Sequence, residues 1–131
     1  MKKNAIKWVW LSVIIVILDQ LTKFYITQGF QLHESLPLFP GLNITYVRNT
    51  GAAFSFLQDA GGWQRWFFIT VSSGVSIALI IWLYNLSVAN RWLAVALALV
   101  LGGAAGNLID RVMFGYVIDF IDVYYDTWHW P

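Results

Sequence analysis

The sequence predicts an all-α membrane protein, three transmembrane helices carrying a small β-hairpin on one membrane surface. Three observations predict it. Of 131 residues, 59% are hydrophobic and 11% charged, whereas a soluble domain carries about 25% charge. Three apolar stretches are each long enough to cross a hydrocarbon core of about 30 Å at about 1.5 Å per residue. The ionisable residues that interrupt the apolar pattern crowd towards one membrane face.

Met1 to Lys7 is a basic tail with Lys2, Lys3 and Lys7. Trp8 to about Gln28 is the first span. A cleaved signal peptide is disfavoured there, because no small-residue cleavage site follows Leu18. Trp66 to Tyr84 is the second span and has no charge, Asn85 to Arg91 is a polar connector, and Trp92 to about Ile109 is the third span. Within it, Gly102-x-x-x-Gly106 would let another helix approach closely.

Between the first two spans lies a long loop, Gly29 to Gly62, broken by Pro37, Pro40 and Gly41. Connections of this length are usually structured or functional. Leu42, Ile44 and Tyr46 alternate with Asn43 and Thr45, and Phe54 and Phe56 flank Ser55, a strand pattern on either side of Asn49-Thr50-Gly51. The expectation is a hairpin turning at those three residues. Trp63, Trp66, Phe67 and Phe68 then form an interfacial aromatic belt. Lys2, Lys3, Lys7 and Arg91 flank one side, against Arg48 and Arg65 on the other with Lys23 and Arg111 inside the polar clusters, so the positive-inside rule places the amino terminus in the cytoplasm and the hairpin outside.

Several functional classes drop out. No cysteine is present, which excludes disulfides, thiolate metal sites and a cysteine nucleophile. His33 and His129 stand in no metal-ligand spacing. A net charge of +1 gives no argument for nucleic acid. Neither Gly-x-Ser-x-Gly nor a phosphate loop nor an internal repeat occurs. No metal or cofactor is expected.

What remains is a set of polar clusters: Asp19-Gln-Leu-Thr-Lys23, Arg48-Asn-Thr-Gly51, Gly106-Asn-Leu-Ile-Asp-Arg111 and Asp119. Ionisable groups at membrane depth cost roughly 2.5–3.5 kcal/mol each on insertion scales, and are usually kept for a function. Asp19 and Lys23 are i,i+4 with the acid first, the favourable order. They are either a self-neutralising pair whose lysine snorkels to the interface or part of a site. Asn107, Asp110 and Arg111 either cap and anchor a helix end or form a hydrogen-bonding scaffold. Asp119, Asp122 and Asp126 fall at i, i+3, i+7, one acidic face if the segment is helical. That face is either a solvated side of an interfacial helix or the source of one catalytic carboxylate, Asp119. Two carboxylates sharing a site split into one ionised and one protonated group, a base and an acid that can activate water without a metal.

These stretches, with Arg48-Asn-Thr-Gly-Ala-Ala-Phe-Ser-Phe56 and Val117-Ile-Asp-Phe120, resemble the bacterial lipoprotein signal peptidases (signal peptidase II) in order and spacing from about Trp8 onward. The resemblance implies an aspartyl endopeptidase of the bacterial inner membrane. It would cut the signal peptide from a diacylglyceryl-modified prolipoprotein, with membrane lipid as its other partner and its site towards the periplasm. It makes Asp119 a catalytic aspartate, and makes Asp19, Lys23, Asn49, Gly51, Asn107, Asp110 and Arg111 substrate-binding or supporting residues. The hairpin becomes a periplasmic cradle. The family's second catalytic aspartate belongs to a Phe-Asn-x-Ala-Asp stretch opening a fourth helix, whereas these residues end at Trp128-His-Trp-Pro131. The expectation is therefore one membrane-embedded domain over 1–131, incomplete at its C-terminus relative to the family. It would lack the fourth helix, have an open Gly102–Gly106 face, and be inactive alone. Two other readings compete. A non-catalytic module that binds lipidated signal peptides needs no second aspartate. A channel or transporter subunit would spread polar groups through the membrane depth, which Trp66 to Tyr84 does not.

Overall fold

A computed structural model of the chain describes residues 4–49, 63–125 and 128–130. A 3-10 turn, Ala5–Trp8, leads into α1, Val9–Gly29. Two further helices are α2, Trp63–Asn85, and α3, Arg91–Phe114. Strands β1, Ser35–Phe39, β2, Leu42–Asn49, β3, Val117–Tyr125, and β4, Trp128–Trp130, form one antiparallel sheet in the order β1-β2-β3-β4. Among the described residues three helices are long and apolar enough to cross a membrane, with mean hydropathy 1.7 over Ala5–Gly29 and 2.0 over both Arg65–Asn85 and Arg91–Phe114. Their outward side chains, such as Val13, Ile17, Leu21, Ile77 and Ile81, are exposed. Lipid tails are as apolar as these side chains, so they need no protein cover.

α3 is central and packs against α1 on one side and α2 on the other. The α1–α3 seam is built from small residues. A Cβ at Gly102 would lie 2.6 Å from the Cβ of Ile15, and one at Gly106 would overlap the Asp19 carboxylate. Ser12 Oγ donates to the Ala98 carbonyl at 2.7 Å along the same seam. The glycine face is therefore filled by α1, which corrects the expectation of an open Gly102–Gly106 face. On the other side Leu79, Leu83 and Leu86 pack with Ala94, Leu97 and Leu101, and Ala5 joins them from the amino-terminal turn. That turn is tied to the α2–α3 connector by the Ala5 N–H, which donates to the Leu86 carbonyl at 2.9 Å.

Three local expectations change. α3 runs past Ile109 to Phe114 and stops at Gly115, whose φ of +85° suits a residue without Cβ. The Gly115 N–H then donates to the Arg111 carbonyl at 3.0 Å. Asp110 and Arg111 thus lie inside the helix and do not cap it. Second, β2 pairs with two strands that were not expected. Ser35–Phe39 lies along one edge and Val117–Tyr125 along the other, and the chain reverses between β1 and β2 at Pro40-Gly41, with Gly41 at φ +93°. The expected turn and partner strand at residues 50–62 lie outside the described residues. Among the described residues the protein is accordingly mostly helical with a four-stranded sheet, and not all-α with a single hairpin. Pro37 fits because, among the described residues, β1 is an edge strand, where a missing N–H is tolerated.

Third, Val117–Tyr125 is a strand and not an acidic helix face. Its Val, Ile, Phe and Tyr residues favour a pleated surface, and β2 offers an edge whose backbone groups need partners. In a strand a spacing of three puts Asp119 and Asp122 on opposite faces. Asp122 accepts a hydrogen bond from Asn43 Nδ2 at 3.2 Å. Asp126 lies outside the described residues.

Candidate active site

The sheet stands at the end of the bundle where α1 and α3 finish and α2 begins, and the polar residues gather there. On the α1–α3 seam, Lys23 Nζ lies 2.9 Å from Asp19 Oδ2 and 2.8 Å from Asp110 Oδ2, and donates to Asn107 Oδ1 at 3.1 Å. Its three N–H donors are thereby used. Lys23 is only 4% exposed and Asp110 is 0% exposed. The lysine is held inside the seam and does not snorkel. Gln20 completes the cluster by donating Nε2 to the Gly106 carbonyl and Asp110 Oδ1, each at 3.1 Å, and to Asp19 Oδ2 at 3.2 Å. Asp110 Oδ2 also accepts the Ile118 N–H at 3.0 Å. One buried carboxylate thus joins α1, α3 and the start of β3.

Arg111 follows Asp110 by about 100° around the helix, so it faces α2 instead. Its Nη1 donates to Ser72 Oγ at 3.4 Å, and its guanidinium lies 5.1 Å from the centre of the Phe68 ring. The charges of Asp119 and Asp110 both act on it. Asp119 is partly buried and sits opposite Val47 in the β2–β3 register, one residue past the Ile118 amide that Asp110 holds. Arg48 is exposed, donates Nε to Tyr46 Oη at 3.4 Å, and lies 4.9 Å from the centre of the Tyr116 ring.

The expected site residues therefore form two groups. Asp19, Lys23, Asn107 and Asp110 come together on the α1 side. Arg111 lies on the α2 side, and Asp119 on β3 is close enough to act on its charge. Asn49 ends β2 opposite Val117, and Gly51 lies outside the described residues. A cavity of about 400 Å³ opens on the α1 side, lined among others by Gln20, Lys23, Tyr46, Asp110 and Ile118, with neither Arg111 nor Asp119 in its wall. Among the described residues no group of three or more His, Asp or Glu could hold a metal ion.

Some contributors were missed from sequence. Gln20, uncharged between Asp19 and Lys23, carries no distinguishing signal of its own in the sequence. Phe68 belongs to the expected aromatic belt, and neither Arg65 nor Ser72 stands in any of the polar clusters. Their spacing of i, i+3, i+7 is a single helix stripe, continued by buried Ser76, Leu79 and Leu83; that periodicity was the available signal.

Fold and clusters together define a multi-pass membrane protein in which Lys23 and Asp110 are buried at one end of the helices. The family model for signal peptidase (SPase) II matches residues 11–131. A lipoprotein signal peptidase of Shewanella piezotolerans is 52% identical over 130 residues, covering 99% of this chain and 76% of that protein. One of Escherichia coli O157:H7 is 47% identical over 126 residues, covering 96% and 77%. Two bacterial membrane enzymes solved by the in meso method are similar in structure. The one at 1.9 Å resolution has TM-score 0.80 and 34% identity, covering 99% of this chain and 85% of its own. The one at 2.3 Å has TM-score 0.79 and 35% identity, covering 95% and 75%. The chain belongs to the signal peptidase II family, membrane proteases of lipoprotein processing.

Proposed function

We propose that the chain carries one half of the catalytic dyad of an aspartyl endopeptidase that removes the signal peptide from diacylglyceryl-modified prolipoproteins. The observation that carries this reading is the placement of Asp119. It lies on a strand whose first residues are pinned by buried Asp110, and it is near enough to Arg111 for their charges to interact. Asp119 supplies one carboxylate of the water-activating pair, and the second comes from the family's Phe-Asn-x-Ala-Asp stretch. One of the two is ionised as base and the other protonated as acid for the leaving amine. Asp19, Lys23, Asn107 and Asp110 support this arrangement by locking α1 to α3 and both to β3. Arg111, Asn49 and Gly51 are the residues we assign to the substrate. The site faces the periplasm from the inner membrane, so a substrate anchored by its lipid reaches it without leaving the bilayer.

The test compares these 131 residues with a form extended through Phe-Asn-x-Ala-Asp, following the gel mobility of a lipidated prolipoprotein. The extended form is expected to cleave and the 131 residues alone are not. Asp119→Asn in the extended form should remove cleavage, since acid–base assistance is worth roughly 10²–10⁴-fold. Asp122→Asn, on the opposite sheet face and bonded to Asn43, should leave most of it. Equal loss in both variants would refute the assignment of Asp119. Binding without cleavage by the extended form would mark a non-catalytic module instead.

A further inference from the structure

The junction between α3 and β3 carries Arg111 before the turn and Asp119 after it, so the distance between them depends on how the turn is held. The last carbonyls of a helix lack intrahelical partners. Here the Gly115 N–H satisfies only part of that need, at the Arg111 carbonyl. The other donors come from α2. Arg65 Nε donates to the same Arg111 carbonyl at 3.0 Å, and Arg65 Nη2 donates to the Val112 carbonyl. The Arg65 guanidinium also lies 5.5 Å from the centre of the Trp66 ring. Its Cδ is 3.5 Å from where a Gly115 Cβ would stand. A cation is thus fitted against the negative end of the α3 dipole, where it is favoured.

The same stripe of α2 grips the other end of Arg111. Phe68 lies against its guanidinium and Ser72 accepts from it. Arg65, Phe68 and Ser72 together fix both the carbonyl and the side chain of Arg111. We propose that Arg65 is a positioning residue for signal-peptide cleavage: by clamping the Arg111 and Val112 carbonyls it sets the Gly115 turn, and with it the placement of Asp119 relative to Arg111. The proposal rests on Asp119 being catalytic. Arginine suits the role because its planar fork serves two neighbouring carbonyls at once, whereas lysine is a single point charge.

The experiment measures kcat and KM of the extended, cleaving form on a lipidated prolipoprotein. Arg65→Met keeps an apolar stem and loses every donor. Its kcat should fall roughly 10–100-fold, the scale of a reacting group misplaced by about 1 Å. KM should stay within about twofold, because Phe68 and Ser72 still hold the Arg111 side chain assigned to the substrate and what shifts is Asp119. Arg65→Lys restores a cation at the helix end and should recover part of kcat. Gly115→Ala should also lower kcat, and the double variant Arg65→Met/Gly115→Ala should lose less than the product of the two single losses, since both loosen one junction. If Arg65→Met fails to fold, Arg65→Lys and Gly115→Ala carry the same readout, a lowered kcat at wild-type KM. Unchanged kcat in these variants, a rise in KM alone, or fully multiplicative losses would overturn the positioning role while leaving the function intact. No cleavage by the wild-type extended form would overturn both.

Discussion

Lys23 is held by Asp19, Asp110 and Asn107 with almost no contact to solvent. Removing its charge strands the Asp110 carboxylate, which is 0% exposed, beside a second carboxylate. Breaking one side of a buried ion pair typically costs about 3–5 kcal/mol, because the partner stays desolvated and uncompensated. Lys23→Met should lower stability in detergent by that order. Adding Asp110→Asn should return part of the loss, since the stranded charge is gone. Thermal unfolding of the three forms measures this; a Lys23→Met protein as stable as wild type would mean the cluster contributes little. Asp110 has a second consequence, because its Oδ2 also takes the Ile118 amide. Its neutral variant should therefore loosen β3 as well as the helix pair.

At the scale of elements, the α1–α3 seam separates three neighbouring glycines by what a methyl group would meet. Gly102 faces Ile15 and Gly106 faces Asp19, whereas Gly103 has nothing within 4 Å. Gly102→Ala should destabilise by about 1–3 kcal/mol through overpacking. Gly106→Ala should do so too and push Asp19 away from Lys23. Gly103→Ala should be neutral or stabilising by up to about 1 kcal/mol, the helix-propensity gain. Melting temperatures of the three variants in one detergent decide it, and equal effects at all three positions would contradict this seam. The sheet follows the same logic of partners. β1 has no charged residue and a proline, yet it pairs because β2 presents a free edge next to a tight Pro40-Gly41 turn.

Across the whole molecule, polar side chains collect at the sheet end, while the opposite end is closed by the amino-terminal turn on the α2–α3 connector. The basic residues Lys7 and Arg91 stand at that opposite end, which the positive-inside rule assigns to the cytoplasm. Single cysteines at exposed Ser35, in β1, and at Ser87, in the connector, test the orientation. An impermeant thiol reagent on cells with a permeabilised outer membrane should label Ser35→Cys and spare Ser87→Cys. The reverse pattern would turn the sheet and Asp119 to the cytoplasm.

The sequence by itself determined the three apolar spans, the crowding of charges towards one end, and the motifs that place the chain in its family. Each is a local property. About 20 apolar residues suffice to make a span, and the motif residues lie a few positions apart. Only the tertiary structure decided which helix fills the glycine face, that Lys23 serves two carboxylates, that Asp119 and Asp122 part company on a strand, and that Arg65 reaches the end of α3. These depend on residues far apart in the chain meeting in a particular register. Periodicity cannot specify that register when every helix is apolar on most sides and the lipid accepts any face it is offered.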